Sequence, residues 1–246
     1  MSDTIRFVGS GDSFGSGGRF QTCILGDIGG RRFLLDCGAS SLVALRAQGI
    51  DPNSIESILI THMHGDHCAG VPFLLVDAML GSKRLSPLVV AGPEGIAKRM
   101  ALLREILFPG SHVMTPKFPY ECVSLEMGVA NDVGGLCVTP FPALHTPETS
   151  PTMLRVECGG KVVMYTGDTE WTEDIVAAAD GADLLISECC FYEKAVRTHM
   201  NYRALKAQLA RVRAKTVVLT HMAGEMLAHV DDVPERCAYD GMVVEL

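Results

Sequence analysis

ILITHMHGDH runs from Ile58 to His67, and VVLTHM runs from Val217 to Met222. Each is an apolar, strand-like run that stops in Thr-His-Met. The first crowds His62, His64, Asp66 and His67 into six residues. A helix would spread positions i, i+2, i+4 and i+5 around its circumference. A tight loop beyond a strand can aim all four side chains at one point, and Gly65 gives the backbone freedom to turn. Imidazole nitrogens and a carboxylate suit a borderline divalent cation, Zn²⁺ first, with Mn²⁺ and Fe²⁺ as alternatives. Four ligands so close in sequence rarely reach one ion with good geometry, so two ions are expected.

The other histidines sharpen this. His145 in PALHTPE and His221 in VVLTHM each follow an apolar segment, and His199 precedes a helical pattern. His112 and His229 lack such a setting and read as surface residues. Asp168, in VVMYTGDT, also follows a strand and a turn glycine. A lone His or Asp there is usually a cap; the upstream cluster makes these candidates for ligands.

Around these segments, TIRFVGS and TCILGDIGGRRFLLDCG read as strands, the latter a hairpin turning at Asp27–Arg31. SSLVALRAQGI, GVPFLLVDAML and GIAKRMALLREILF read as helices, with Ile96, Met100, Leu103 and Leu107 on one face of the last. PLVVAGP, DLLISE and KTVVLTHM read as strands, WTEDIVAAADGA and NYRALKAQLARVRA as helices. Strand hairpins followed by strand–helix units in each half predict two sheets face to face with helices outside. The 246 residues are expected to form one domain, 1–246. GSGDSFGSGG (Gly9–Gly18) lacks dinucleotide-loop spacing and precedes a strand, so it reads as a mobile loop at the rim of a site.

Composition bounds the function. With 48% hydrophobic residues the chain can build a large core. No apolar run approaches a membrane span of about 20 residues, and no secretory pattern opens the sequence, so a cytoplasmic location is expected. Nine scattered cysteines without a C-x-x-C pair read as buried thiols in a reducing compartment. The net charge of −8 argues against a long nucleic acid, whose grip needs a basic face. The one dense basic stretch, Arg203–Lys215, reads as the polar face of a helix.

THMHGDH matches the H-x-H-x-D-H signature of the metallo-β-lactamase superfamily, and LLDCG before it and ALHTPE, YTGDT and VVLTHM after it keep that family's order. The sequence resembles this family from about Ile5 to Met222. The resemblance implies an α/β (α+β) fold, a four-layer αββα sandwich, with a binuclear site at one edge. It implies that His62, His64 and His145 hold one metal and Asp66, His67 and His221 the other, bridged by Asp168. Asp36 would orient a ligand from behind. LLISECCF followed by THMN is similar to the ribonuclease Z branch of phosphodiesterases, as is VVAGPEGI. That similarity implies that Glu188 orients His199, which protonates the departing oxygen, while Asp66 aims a metal-bridging hydroxide. A true β-lactamase would lack the histidine at His67.

Two features depart from the tRNA-processing enzymes. Their Pro-x-Lys-x-Arg-Asn loop is replaced by GSGGRFQT, with Arg19 the one clear survivor. Their long basic arm has no counterpart between Gly95 and Gly159. The expected activity is therefore a binuclear-metal phosphodiesterase acting on a small phosphodiester or a short RNA end, with a homodimer as the expected assembly. The alternatives are a tRNA 3′-end endoribonuclease, a lactone or thioester hydrolase on the same metals, a sulfur-ester or cyclic-nucleotide specialist, and a silent scaffold.

Overall fold

The computed structural model describes residues 2–246. Its first sheet is built from β1 (Thr4–Gly9), β2 (Cys23–Ile28), β3 (Arg31–Leu35), β4 (Ser57–Leu59), β5 (Leu88–Gly92) and β6 (Tyr120–Ser124). The second uses β7 (Asn131–Val133), β8 (Leu136–Pro142), β9 (Thr152–Cys158), β10 (Lys161–Tyr165), β11 (Leu184–Glu188), β12 (Thr216–Thr220) and β13 (Arg236–Cys237). A last strand, β14 (Val243–Glu245), returns to pair with β1. The orders are β14-β1-β2-β3-β4-β5-β6 and β13-β12-β11-β10-β9-β8-β7. Each sheet has an antiparallel half and a parallel half. The two sheets thus repeat one plan, but the two Thr-His-Met endings fall at different places in it, β4 being fifth from the antiparallel edge and β12 sixth.

The inner parallel strands β4, β5, β11 and β12 are mostly apolar without alternation because both of their faces are covered. Ile5, Phe7, Phe33 and Leu35 of one sheet meet Val138, Leu154, Tyr165 and Ile186 of the other in the central core. Outside the first sheet, Leu34, Ile58 and Val90 pack under α1 (Ser41–Ala47), α3 (Gly70–Val76) and α4 (Ile96–Leu107). Outside the second, Met164, Leu185 and Leu219 pack under α5 (Asp174–Ala178), α6 (Tyr202–Gln208) and α7 (Gly224–Leu227). Helix, sheet, sheet, helix is the sandwich expected. All nine cysteines are free, six of them buried.

Three local expectations need correction. The His-rich motif is only half a loop: Gly65–Cys68 forms a single helical turn, α2, with Asp66 and His67 inside it. The face of α4 buries Ile96 and Met100, but Leu107, the last residue of the helix, is 39% exposed. The two C-terminal helices are shorter than their patterns, α5 covering Asp174–Ala178 and α6 ending at Gln208 in a 3₁₀ turn. Asn201 starts α6 by accepting a hydrogen bond from the Ala204 amide at 2.9 Å.

Parallel register is what builds the site. Leu35 lies beside Leu59, Leu59 beside Ala91, Tyr165 beside Ile186 and Glu188 beside Thr220. The residues just past these strands therefore emerge at one edge. Two glycines hold the first of these loops against α2 and α3. A Cβ on Gly38 would lie 2.2 Å from the Asp66 carbonyl oxygen, and one on Gly70 would lie 2.1 Å from the Gly38 carbonyl oxygen. Gly70→Ala should destabilise the protein by about 1–3 kcal/mol, since backbone must move to admit the methyl. Urea unfolding checks this, and an unchanged midpoint would show that the backbone approach is not a constraint.

Candidate metal centre

Six strand ends supply the site. Asp36 follows β3, His62 follows β4, His145 follows β8, Asp168 follows β10, Glu188 ends β11 and His221 follows β12. Asp36 and His221 sit at φ 59° and φ 58°. Left-handed backbone is uncommon for such residues and tends to mark functional sites.

The donor atoms fall into two sets. The Nδ1 of His64 is 3.1 Å from Nε2 of His62 and 3.1 Å from Nε2 of His145. In the second set, Oδ2 of Asp66 is 3.3 Å from Nε2 of His67 and 3.3 Å from Nε2 of His221. Asp168 belongs to both. One of its oxygens is 3.3 Å from His67 Nε2; the other is 3.5 Å from His221 Nε2, 3.9 Å from His62 Nε2 and 4.0 Å from His145 Nε2. Ligand atoms about 2.0–2.1 Å from a tetrahedral zinc are about 3.3–3.4 Å apart, and the edges of 3.1–3.5 Å lie near that value, whereas those from Asp168 to His62 and His145 are longer.

Hydrogen-bond accounting points the same way. Nε2 of His67 and Oδ1 of Asp168 are buried with no hydrogen-bond partner. Leaving such groups unpaired costs about 1–3 kcal/mol each, more when charged, which a divalent cation would offset.

In His62, His67 and His145 the opposite ring nitrogen is occupied, and this fixes their tautomers. Nδ1–H of His67 donates to Asp36 at 2.7 Å, and Nδ1–H of His145 donates to the Thr198 carbonyl at 2.7 Å. Thr198 is at φ 74°, a strained geometry that accompanies this carbonyl contact. Thr61 gives its hydroxyl proton to Asp36 at 2.9 Å, which leaves its oxygen to accept from Nδ1 of His62 at 3.0 Å. Asp36 also accepts from the Thr61 amide at 2.8 Å and from the Tyr165 hydroxyl at 3.0 Å. Tyr165 lies on the second sheet, so this carboxylate ties the two sheets together beneath the site.

Sequence reasoning missed Tyr165 and Thr198, whose roles depend on contacts across sheets, and Ser13. The Ser13 hydroxyl donates to Asp66 at 2.6 Å from within the Gly9–Gly18 loop. That loop does stand at the rim, as expected, but it is bound to the site. Asp12 accepts from the Phe14 and Ser16 amides and the Ser16 hydroxyl, and Gly11 bridges to Gln21 and Met222. Arg19 points away and donates to the Ala238 carbonyl at 2.7 Å. His112 and His229 lie outside the site and pair with Glu105 and Asp232. The predicted Glu188–His199 pair is present, with Oε2 and Nδ1 3.3 Å apart, and Oε1 accepts from the Thr169 amide at 2.5 Å.

Electrostatics divide the imidazoles. Burial holds His62, His64 and His145 below the usual histidine range, so they are neutral and free to bind a cation. Burial opposes a charge on His221 too, but Asp168 and Asp66 outweigh it and push the ring up to about 9. His67 is raised likewise by Asp168, Asp66 and Asp36 against its burial. Asp66 and Asp168 are held low despite burial, by His67 and His221. Without metal, then, imidazolium rings supply the positive charge that the carboxylates require.

The fold and this site define a metallo-β-lactamase-fold, metal-dependent hydrolase of the ribonuclease Z-like branch, acting on ester bonds of the phosphodiester type. Within it the chain belongs to the family described as anti-Pycsar protein Apyc1, which matches residues 4–235. It is 26% identical to a ribonuclease Z from Agathobacter rectalis over 88% of this chain and 86% of that protein. The fold matches the metallo-β-lactamase fold protein YhfI of Bacillus subtilis with a TM-score of 0.78 and 21% identity over the whole of both chains. It matches Zn²⁺-bound PqqB from Methylobacterium extorquens with a TM-score of 0.76 and 18% identity, over 99% of this chain and 100% of that one. Among the described residues no helix is long and apolar enough to cross a membrane.

The pKa directions set a pH test. The raised ring of His221 contributes stability to the metal-free protein below about pH 6.5, and this is lost as pH rises through about 9. A cation competes with those same protons, so its grip strengthens over the same interval. The rise in melting temperature on adding Zn²⁺ should therefore widen from pH 6 to pH 9, as read by paired thermal melts. A rise that narrows would contradict the assignment of charge.

Proposed function

We propose that the protein is a two-metal phosphodiesterase that cleaves a small phosphodiester or a short RNA end. The observation that carries this reading is Asp168, whose carboxylate lies within 4.0 Å of donors in both sets. His62, His64, His145 and Asp168 would hold one ion, and Asp66, His67, His221 and Asp168 the other. Zn²⁺ fits the nitrogen-rich donors best, and the zinc named for the PqqB neighbour supports it. Such ions, when bound, activate water and neutralise charge growing on the phosphoryl oxygens.

The protein's own groups do the rest. Asp66, held by Ser13, His67 and His221, cannot swing away and aims the attacking water. Asp36 keeps His67 in the tautomer whose Nε2 is bare. Glu188 grips Nδ1 of His199 and leaves Nε2 as the nitrogen that delivers a proton to the departing oxygen. Burial lowers the pKa of His199, so its protonated ring is a stronger acid, and the ring carries that proton only below the usual histidine range.

Size and charge around the centre support a small substrate. A cavity of about 690 Å³ reaches His145 and is lined by Leu125, Met127 and Leu144, with Glu94 and Glu126 on its wall. That lining suits the uncharged part of a small molecule and repels a second phosphate. The dense basic stretch is already spent: Arg203 pairs with Glu193, Lys206 with Glu235, Arg211 with Glu173, Arg213 with Asp180 and Lys215 with Asp183. Residues 96–158 are taken up by α4 and strands β6–β9, of which β6 and β7 are sheet edges. The ribonuclease Z relatives favour RNA as the second reading. A second copy of the chain is the proposed partner, and Leu102 and Ile106, 52% and 62% exposed on α4, offer it an apolar surface.

His199→Ala should lower turnover of diesters with poor leaving groups by about 10²–10⁴-fold and spare those with good ones. Metal content should stay the same. Equal losses on both substrate types would remove the proton-donor role.

A panel of bis-aryl phosphodiester, cyclic nucleotide, lactone, thioester and tRNA precursor separates the substrate readings. Turnover of the small diesters, with tRNA binding that is weak and little changed by salt, is the expected result. Accurate tRNA cleavage with steep salt dependence would move the assignment to RNA processing.

A further inference from the structure

One cluster of donors lies outside the seven assigned to the two ions. Glu188, Cys190 and His199 each place a donor atom within 4.8 Å of the others and of a ring nitrogen of His221. The first two are buried, Cys190 being 5% exposed, and His199 closes the group from the cleft side. We infer that Glu188, Cys190 and His199 form a third, weaker zinc position that fills when zinc is in excess and takes His199 out of the reaction. The inhibitory consequence rests on the role proposed above for His199; the metal position itself does not.

Three observations carry this. The 3.3 Å between His199 Nδ1 and Glu188 Oε2 is long for a charge-assisted hydrogen bond, which prefers about 2.7–2.9 Å. It equals the edge expected between nitrogen and oxygen ligands of a tetrahedral zinc, about 3.3–3.4 Å.

The two adjacent thiols of the ECC sequence have separate fates. Cys189 lies against Met226, with sulfurs 3.8 Å apart, inside the helix-side core. Cys190 is left to the site. A thiolate among oxygen and nitrogen donors favours zinc over manganese or magnesium.

The third observation is an orphan. His221, 1% exposed, has its Nε2 turned to Asp66 and Asp168, while its Nδ1 is buried without a hydrogen-bond partner. A polar ring edge is thus unsatisfied in a residue of this cluster. Entry of the ion exchanges protons for metal: the Cys190 thiol gives its proton to solvent as the S–Zn bond forms, and the proton on Nδ1 of His199 passes through solvent to Nε2, so that the neutral ring binds through Nδ1. No electrons move. The bound ion then stands between Glu188 and the ring it orients.

Cobalt is the probe, because none of the seven assigned ligands is a thiol. Metal-free protein titrated with Co²⁺ should show no thiolate-to-cobalt charge-transfer absorption through two equivalents. The near-ultraviolet band should appear with the third and be missing in Cys190→Ser and Cys190→Ala, whose melting curves check their folding. With zinc, wild type should lose diester turnover as the excess grows, and Cys190→Ser should need about tenfold or more zinc for the same loss.

No charge-transfer band at any loading would overturn the inference, as would a band that survives both substitutions. Zinc inhibition unchanged in Cys190→Ser would overturn the regulatory half. A protein inactive with two equivalents but showing the Cys190-dependent band with the third would instead remove the two-metal phosphodiesterase reading and leave this position standing.

Discussion

Asp36 is the contact on which the site depends. Its carboxylate is wholly buried, yet it accepts from the Thr61 amide and hydroxyl, the Tyr165 hydroxyl and the His67 ring. A buried carboxylate is tolerable only when its oxygens are satisfied and positive charge is near. Both conditions are met by groups from two sheets, so the carboxylate couples sandwich packing to ring orientation. Moving either sheet would unpair it, and turning His67 would do the same. The unusual backbone at Asp36, Thr198 and His221 fits this view: strained residues persist where surrounding contacts over-determine them.

The second half of the arrangement is a charge balance. Asp66, Asp168 and Glu188 converge with six histidines in a space largely closed to water. In the metal-free protein, His67 and His221 hold protons that answer the carboxylates, while His62, His64 and His145 stay neutral. Glu188 is pushed upward by burial and by the Asp168 charge. Cation binding replaces mobile protons with fixed charge, and a site prepared this way needs little rearrangement to receive it.

Much of this was legible in the chain. The Thr-His-Met endings after apolar runs marked strands whose ends share an edge, because parallel register aligns them. His62, His64, Asp66, His67, His145, Asp168 and His221 are all brought together, as are Asp36 with His67 and Glu188 with His199. Spacing could not show that Asp66 and His67 ride on a helical turn, since four residues carry no period. Tyr165 read as one more apolar strand residue, because its hydroxyl partner is 129 positions away. Ser13 was hidden in a glycine-rich loop that resembled a phosphate cradle only superficially. Its contact with Asp66 depends on how the loop folds back beneath Met222. The short α5 and α6 reflect tertiary packing overriding helical pattern.

Anomalous diffraction at the zinc edge, from crystals of protein purified without chelator, tests the proposed two-ion centre most directly. Two peaks are predicted, one among His62, His64 and His145 and the other among Asp66, His67 and His221, with Asp168 in contact with both. A single peak, or two peaks that do not share Asp168, would contradict it.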